Sequence, residues 1–483
     1  MQAASRSSAR EKKLLRNLAV AAGLGWSLAF VIVALVCEPQ LYADGAMFSY
    51  AVAVQDVWAF HWHNIAHRMT VFFLTLWPAE AFVGLTGRPH GGIIVYGLLF
   101  NVAPLLGLAW TFVADRSRNR VIFAFACGST ALLCPLVFGF PTEMWIAHAL
   151  FWPALALAHY ARPGVRGAAA LSIAVVALVL AHEGGGALAI VIAATLALHG
   201  FRHPLFVRVA IIVFGALVLW IIVKMAYPPG DYFADVLIRA GLHFFDLAIF
   251  QANLVILLIA VLTAYGLLFF AFSRVLAADT ALIAALAVSA IALLVYWLQF
   301  DQWVHASNRY YLRTALVVIT PAFGVMSAVY AMRAEGAPVA CPYLLQIAKF
   351  LASITAIRAF IGAIILCTAI HVVQTAKFVT EWAAYKAAVK ALALGSASDP
   401  ALGDPRFVSS HRISPELNQL GWFSTVEYLS AIVSDFKPAR IVVDPAGNYF
   451  WLSCKTATDN ARAMRSVPAP ARDLVRIYSC LHR

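Results

Sequence analysis

Long apolar runs alternate with short polar connectors along this chain, and the connectors themselves alternate in charge. The runs at 18–36, 91–113, 254–272, 281–298 and 351–370 are each close to the length a helix needs to cross roughly 30 Å of hydrocarbon. The last of these carries Arg358. The runs are continuously apolar, which argues for membrane-spanning helices and against the alternating pattern of a β-barrel. The basic connectors are 115–120, 162–166, 201–208, Arg274 and the region from Arg333 to Lys349. Positive charge collects on the cytoplasmic side of membrane proteins, so these belong with the basic tail 1–17. The connectors at 38–66, 141–143, 182–186, 227–247 and 299–309 hold acids, His, Trp and Pro, and are expected outside.

One segment disturbs this alternation. If both 67–87 and 91–113 crossed the membrane, the Arg-rich stretch 115–120 would land outside. Pro78 and Glu80 interrupt 67–87, which predicts a re-entrant or interfacial segment there. The count is then about 11 crossings. The expected plan is a membrane domain over 18–374 with an outer loop at 38–66, followed by an extracytoplasmic C-terminal domain over 375–483. Within the latter, FSTVEYLSAIV reads as a short helix, and ARIVVDP and NYFWLS read as strands around a PAGN turn, a small mixed α/β unit. The run after the basic tail lacks a small-residue cleavage site and reads as a retained first helix.

Composition agrees with the pattern. Hydrophobic residues make up 63% of 483 positions and charged residues only 12%, more apolar material than a soluble core can hold. The net charge is +12, but the positive residues sit in short connectors where membrane orientation accounts for them, and nucleic acid is not an expected partner. Five cysteines, Cys37, Cys127, Cys134, Cys341 and Cys367, lie in or beside spans. Cys454 and Cys480 lie in the outer tail, where an oxidising compartment permits a disulfide between them.

The unusual polar residues fall mostly on the outer side. Asp44 follows the first span closely: an acid held against apolar walls can act as a general base or hold a divalent cation, and it can equally cap the helix that begins GAMFSYAVA. Asp56 lies about three helical turns on. His61, His63 and His67 are flanked by aromatic residues, which favours an interfacial helix over a metal site. Glu143 reads either as a helix-dipole partner behind Thr142 or as a cavity residue. In HEGGG, His182 and Glu183 are ionisable groups in an apolar setting, and the glycines allow a tight turn and close ligand approach. Asp301, Arg309, Tyr310 and Arg313 precede a late span. The two arginines run against the inside-positive bias, which points to an anionic ligand or to outer-leaflet headgroups. Lys224, Tyr227 and Asp231 form a weaker cluster on the same side.

This arrangement resembles the integral-membrane glycosyltransferases of the GT-C fold. The points of resemblance are the acid just after the first span (Asp44 in LYADGAM), the first outer loop, and NRYYL at 308–312 before a late span. The chain lacks the adjacent second acid, because residue 43 is Ala. The resemblance implies transfer of a sugar from a polyprenyl-phosphate donor to a glycan, lipid or protein acceptor at the outer face of a bacterial inner membrane. Asp44 would activate the acceptor hydroxyl, with or without a divalent cation such as Mg or Mn, and Arg309 would contact the donor phosphate. His182 and Glu183 stand as further candidate catalytic residues, with Asp56, Glu143, Lys224, Asp301, Tyr310 and Arg313 as candidate substrate contacts. A polysaccharide polymerase or ligase, and a non-catalytic transport or assembly protein of envelope glycan export, are the competing readings.

Overall fold

The computed structural model describes residues 2–55, 57, 68–133, 143–162, 164–227, 253–301, 312–396, 405, 407–422 and 425–444. The protein is an all-α, multi-pass membrane protein with a small two-stranded extension near its C-terminus. Its described helices are α1 (Gln2–Cys37), α2 (Asp44–Ala53), α3 (Met69–Thr86), α4 (Pro89–Ala114), α5 (Val121–Leu133), α6 (Met144–Tyr160), α7 (Val165–Val179), α8 (Glu183–Ala197) and α9 (Pro204–Ala226). They continue with α10 (Asn253–Phe272), α11 (Ala278–Gln299), α12 (Leu312–Ala334), α13 (Pro342–Leu351) and α14 (Ile354–Leu394). Six of these helices, α1, α3, α4, α9, α11 and α14, are long and apolar enough to cross a membrane by length and composition.

The charge alternation of the connectors reappears as two ends of the bundle. At one end, Arg358 at the start of α14 binds Glu11 of α1 at 2.6 Å and Asp279 of α11 at 3.1 Å. The Tyr160 hydroxyl donates to Glu335 at 2.6 Å, and the Ala340 N–H donates to the Leu198 carbonyl at 2.8 Å. The turn 115–120 is held by Asp115, which is fully buried and accepts from the N–H groups of Ser117 and Phe123, both at 2.8 Å. At the other end, Lys386 of α14 pairs with Glu38 at 2.8 Å, Lys377 pairs with Asp301, and His90 at the start of α4 meets Asp435 at 2.7 Å.

Helix α14 runs unbroken for 41 residues, about 60 Å, or twice the hydrocarbon thickness. The apolar run that thins out after Ile370 is thus only its first half, and the helix continues through residue 375. Its second half buries Trp382, Tyr385, Val389 and Ala393, and the C-terminal unit packs on it. That unit is a β-α-β arrangement: β1 (Phe407–Ser409), the short α15 (Pro415–Asn418), α16 (Val426–Val433) and β2 (Ile441–Val443), with the two strands parallel. The expected helix and first strand are α16 and β2. The expected second strand at NYFWLS and both Cys454 and Cys480 lie outside the described residues. Tyr428 of α16 packs against Tyr50 of α2, their ring centroids 5.1 Å apart and the rings tilted by 56°, so the unit rests on α2 as well as on α14.

Candidate functional site

Helix α2 begins at Asp44 rather than after it, so this acid occupies the first helical turn and Ala43 holds the cap position. The turn that delivers it passes through two residues of positive φ, Glu38 (51°) and Ala43 (55°). Side chains with a Cβ adopt that region only when the surroundings impose it. Nine consecutive residues, Gly45 to Ala53, are buried, so α2 is enclosed on every side and Asp44 is fixed in direction.

The charged centre forms around Arg68, immediately before α3. Its Nη1 donates to Glu143 Oε1 at 2.6 Å and its Nη2 to Glu183 Oε2 at 3.2 Å. All three side chains are largely buried. Glu143 ends the connector before α6, and Glu183 opens α8, so one guanidinium ties three separate elements together. The Thr70 N–H adds a bond to the Leu180 carbonyl at 3.2 Å, fastening the start of α3 to the end of α7.

His182 caps α8: its Nδ1 accepts from the Gly184 N–H at 3.0 Å. A ring nitrogen that accepts carries no proton, so the neutral imidazole holds its hydrogen on Nε2, which faces Glu183 Oε2 at 3.5 Å. Glu183 Oε1 is buried and has no hydrogen-bond partner. Tyr96, buried on α4, feels the negative charge of both Glu143 and Asp44, which brings Asp44 into the same neighbourhood.

The depth of this centre follows from helix geometry. Gly107 of α4 lies against the backbone of Ala149 of α6, where an added Cβ would come within 2.4 Å of the Ala149 carbonyl oxygen. Glu143 lies six residues before that contact, and α4 extends about 18 Å beyond the level of Glu143 at 1.5 Å per residue. Counted the other way, Glu143 and Glu183 stand about 20–25 Å from the ends of α6 and α8 nearer the basic connectors. Helix α3 starts at this charged centre and ends beside the first turn of α4, where Phe82 and Val83 approach Gly91 and Gly92.

The structure therefore gathers His182, Glu183 and Glu143 around one cation, and Tyr96 lies within reach of the charge of both Glu143 and Asp44. Other candidates are placed elsewhere. Asp301 is bound by Lys377 and lies 3.4 Å from Gln374 Nε2, both on α14. Lys224 lies 4.7 Å over the Trp220 ring near the end of α9. Arg313 belongs to α12 through its backbone, and Asp56, Arg309 and Tyr310 lie outside the described residues. Sequence reasoning passed over Arg68 and Tyr96. Arg68 ends the outer stretch HWHNIAHR against the inside-positive bias, the same signal that singled out Arg309 and Arg313.

The donor set bears on a cation. Among the described residues no group of three or more His, Cys, Asp or Glu side chains is arranged to hold a metal ion. The described residues thus do not furnish a metal centre. No protein-family model, curated protein or solved structure matches this chain.

Proposed function

We propose that the chain is an integral-membrane glycosyltransferase of GT-C-like architecture, moving a sugar from a polyprenyl-phosphate donor to a glycan, lipid or protein acceptor. It works at the outer face of a bacterial inner membrane. The basic end of the bundle is cytoplasmic, the C-terminal unit is extracytoplasmic, α3 lies at the outer side without crossing, and the chain makes about eleven crossings.

The observation that carries this reading is the assembly of Arg68, Glu143 and Glu183, with Asp44 close by, some 20–25 Å along the bundle from its basic end. Charged groups at that depth are costly in hydrocarbon and are kept where they face a cavity or a substrate. The sugar-phosphate head of a polyprenyl donor would have to enter such a cavity from the bilayer surface. Asp44 is the candidate base. It takes the proton of the acceptor hydroxyl as that oxygen bonds to the anomeric carbon, while the bond from that carbon to the phosphate oxygen breaks and the polyprenyl phosphate leaves with its electron pair.

Charge arithmetic assigns Arg68 a different task from the one the resemblance gives to Arg309. Among the described residues one guanidinium, that of Arg68, is bound by both Glu143 and Glu183. Arg68 positions carboxylates. The donor phosphate needs further cations, for which Arg309 and Arg313 are the candidates.

Reconstitution into proteoliposomes with radiolabelled polyprenyl-phosphate sugars tests the reading. The wild type is expected to transfer label to an added acceptor, and Asp44→Asn to lower the rate about 100-fold or more, the usual contribution of a general base. Arg118→Ala, at the basic end, should transfer normally. Transfer by Asp44→Asn at the wild-type rate would remove Asp44 from the chemistry. Absence of transfer from every polyprenyl-linked sugar, together with retained function in cells of an Asp44→Ala, Arg68→Ala chain, would favour the assembly role.

A further inference from the structure

The C-terminal unit carries a second polar centre, separate from Arg68. Strand β1 is followed by Ser410 and His411, and strand β2 by Asp444. The strands are parallel, so these three residues lie at one edge of the sheet. Helix α16 returns between the strands, and the Val442 N–H donates to the hydroxyl of Ser430 at 3.3 Å, which fixes the helix against β2. Glu427, one turn before Ser430, is thereby brought to the same edge, where the charge of Asp444 acts on it. In sheets with parallel strands, the crevice outside their carboxyl ends is where ligands bind.

The edge combines two more exposed side chains with two buried ones. His411 Nε2 lies 3.6 Å from Asp444 Oδ1, with side chains 59% and 21% exposed. At the same edge, Ser410 and Glu427 are 2% and 1% exposed. Among the described residues, Ser410 Oγ and Glu427 Oε1 are both buried without a hydrogen-bond partner. Two such atoms at one strand edge can be satisfied together by a single polar ligand.

We propose that this edge is a saccharide-binding site, in which Ser410, Glu427 and Asp444 receive vicinal hydroxyls of a glycan. The chemistry of the groups selects that class. A phosphate would meet the Asp444 carboxylate. An ammonium group offers donors alone, whereas Ser410 carries a hydroxyl donor as well as an acceptor. No metal-holding group occurs among the described residues. Burial, and then the nearby Asp444, hold the Glu427 carboxyl well above the usual carboxylate range, so it offers a donor and an acceptor together. A sugar diol, each hydroxyl of which both gives and takes a hydrogen bond, matches such a mixed set. Under the transferase reading, on which this role rests, the occupant is the acceptor, and the acceptor is a glycan rather than a lipid or protein.

The test is binding of the purified full-length chain to an array of bacterial surface oligosaccharides, followed by titration with the best binder, in the absence of any donor. Selective binding is expected, weakened about tenfold in Ser410→Ala and in Asp444→Ala, the effect of one lost buried hydrogen bond. Glu427→Ala should bind poorly. Glu427→Gln should bind like the wild type, because the amide keeps a donor and an acceptor, and it reports that the unit is folded. Asp44→Asn should bind normally while failing to transfer. Failure of all transfer with this binding pattern intact would count against the transferase reading alone. Binding of no saccharide, or equal binding by wild type, Ser410→Ala and Asp444→Ala, would overturn the proposal.

Discussion

Arg68 is a buried cation that holds two acids and leaves neither of them alone with its charge. Removing it takes away the guanidinium that both Glu143 and Glu183 bind, and loss of one partner from such a buried set costs about 3–5 kcal/mol. Arg68→Ala should therefore lower the melting temperature of the detergent-solubilised chain sharply, and adding Glu143→Gln and Glu183→Gln to it should recover much of the loss. Equal melting of Arg68→Ala and wild type would mean that the three groups do not act as a unit. Glu427 is expected to leave a pH signature. Its carboxyl is held above the usual range by burial, so the folded state keeps a proton that the unfolded chain releases. The stability it contributes is complete below the unfolded value, about 4.3, and is lost as pH rises toward the folded value. Glu427→Gln should therefore melt with the wild type at about pH 4 and above it at about pH 8. An unchanged difference across that range would show that Glu427 does not titrate between the two states. At this scale the sequence disclosed His182 and Glu183 because they are ionisable groups in an apolar run. Arg68 was hidden, although it breaks the charge bias, because its partners lie 75 and 115 positions away.

Elements meet through small residues that no hydrophobic pattern reveals. A Cβ on Gly97 of α4 would come within 2.3 Å of the amide of Gln40, whose buried side chain fills the space beside Tyr96. Gly97→Ala should cost about 1–3 kcal/mol by overpacking and should be rescued by Gln40→Ala, which clears the space. Gly107→Ala meets backbone at Ala149, and no partner truncation should rescue it. Comparative thermal melts of the single and double variants check this, and rescue at both glycines would contradict the assigned contacts. The long helices were legible because continuous apolar runs of that length have few alternatives. The short ones, α5, α7 and α8 with 13, 15 and 15 residues, were less so. Two of them border the charged centre: α8 opens at Glu183, and α7 ends at Leu180, whose carbonyl the start of α3 binds. The second half of α14 was invisible as part of a single helix. Its polar face reads as the start of a soluble domain, whereas packing by the C-terminal unit keeps it helical.

The whole molecule is organised by its two ends. Arg358, Glu11, Asp279, Tyr160 and Glu335 meet at one, and Lys386, Glu38, His90 and Asp435 at the other, with the Arg68 centre between them. A chain carrying Cys341 as its sole thiol should react with an impermeant thiol reagent from the basic side alone, and one carrying only Lys437→Cys from the opposite side alone. Labelling of both from one side would break the two-ended plan. The grouping of the connectors was the most legible part of the sequence, since basic and acidic connectors alternate along the chain. The site's three-dimensional grouping was less so, because it depends on where unequal helices stop. The most direct probe of the proposed donor site is a photoactivatable polyprenyl-phosphate sugar, incorporated into proteoliposomes with the full chain. Crosslinks should concentrate on peptides covering residues 38–55 and 68–101, be displaced by unlabelled donor, and fall about tenfold in Arg68→Lys, whose single ammonium cannot hold two carboxylates in one plane. Crosslinks scattered over the lipid-facing helices, indifferent to competitor and to the Arg68 substitution, would refute a donor site at the Arg68 centre.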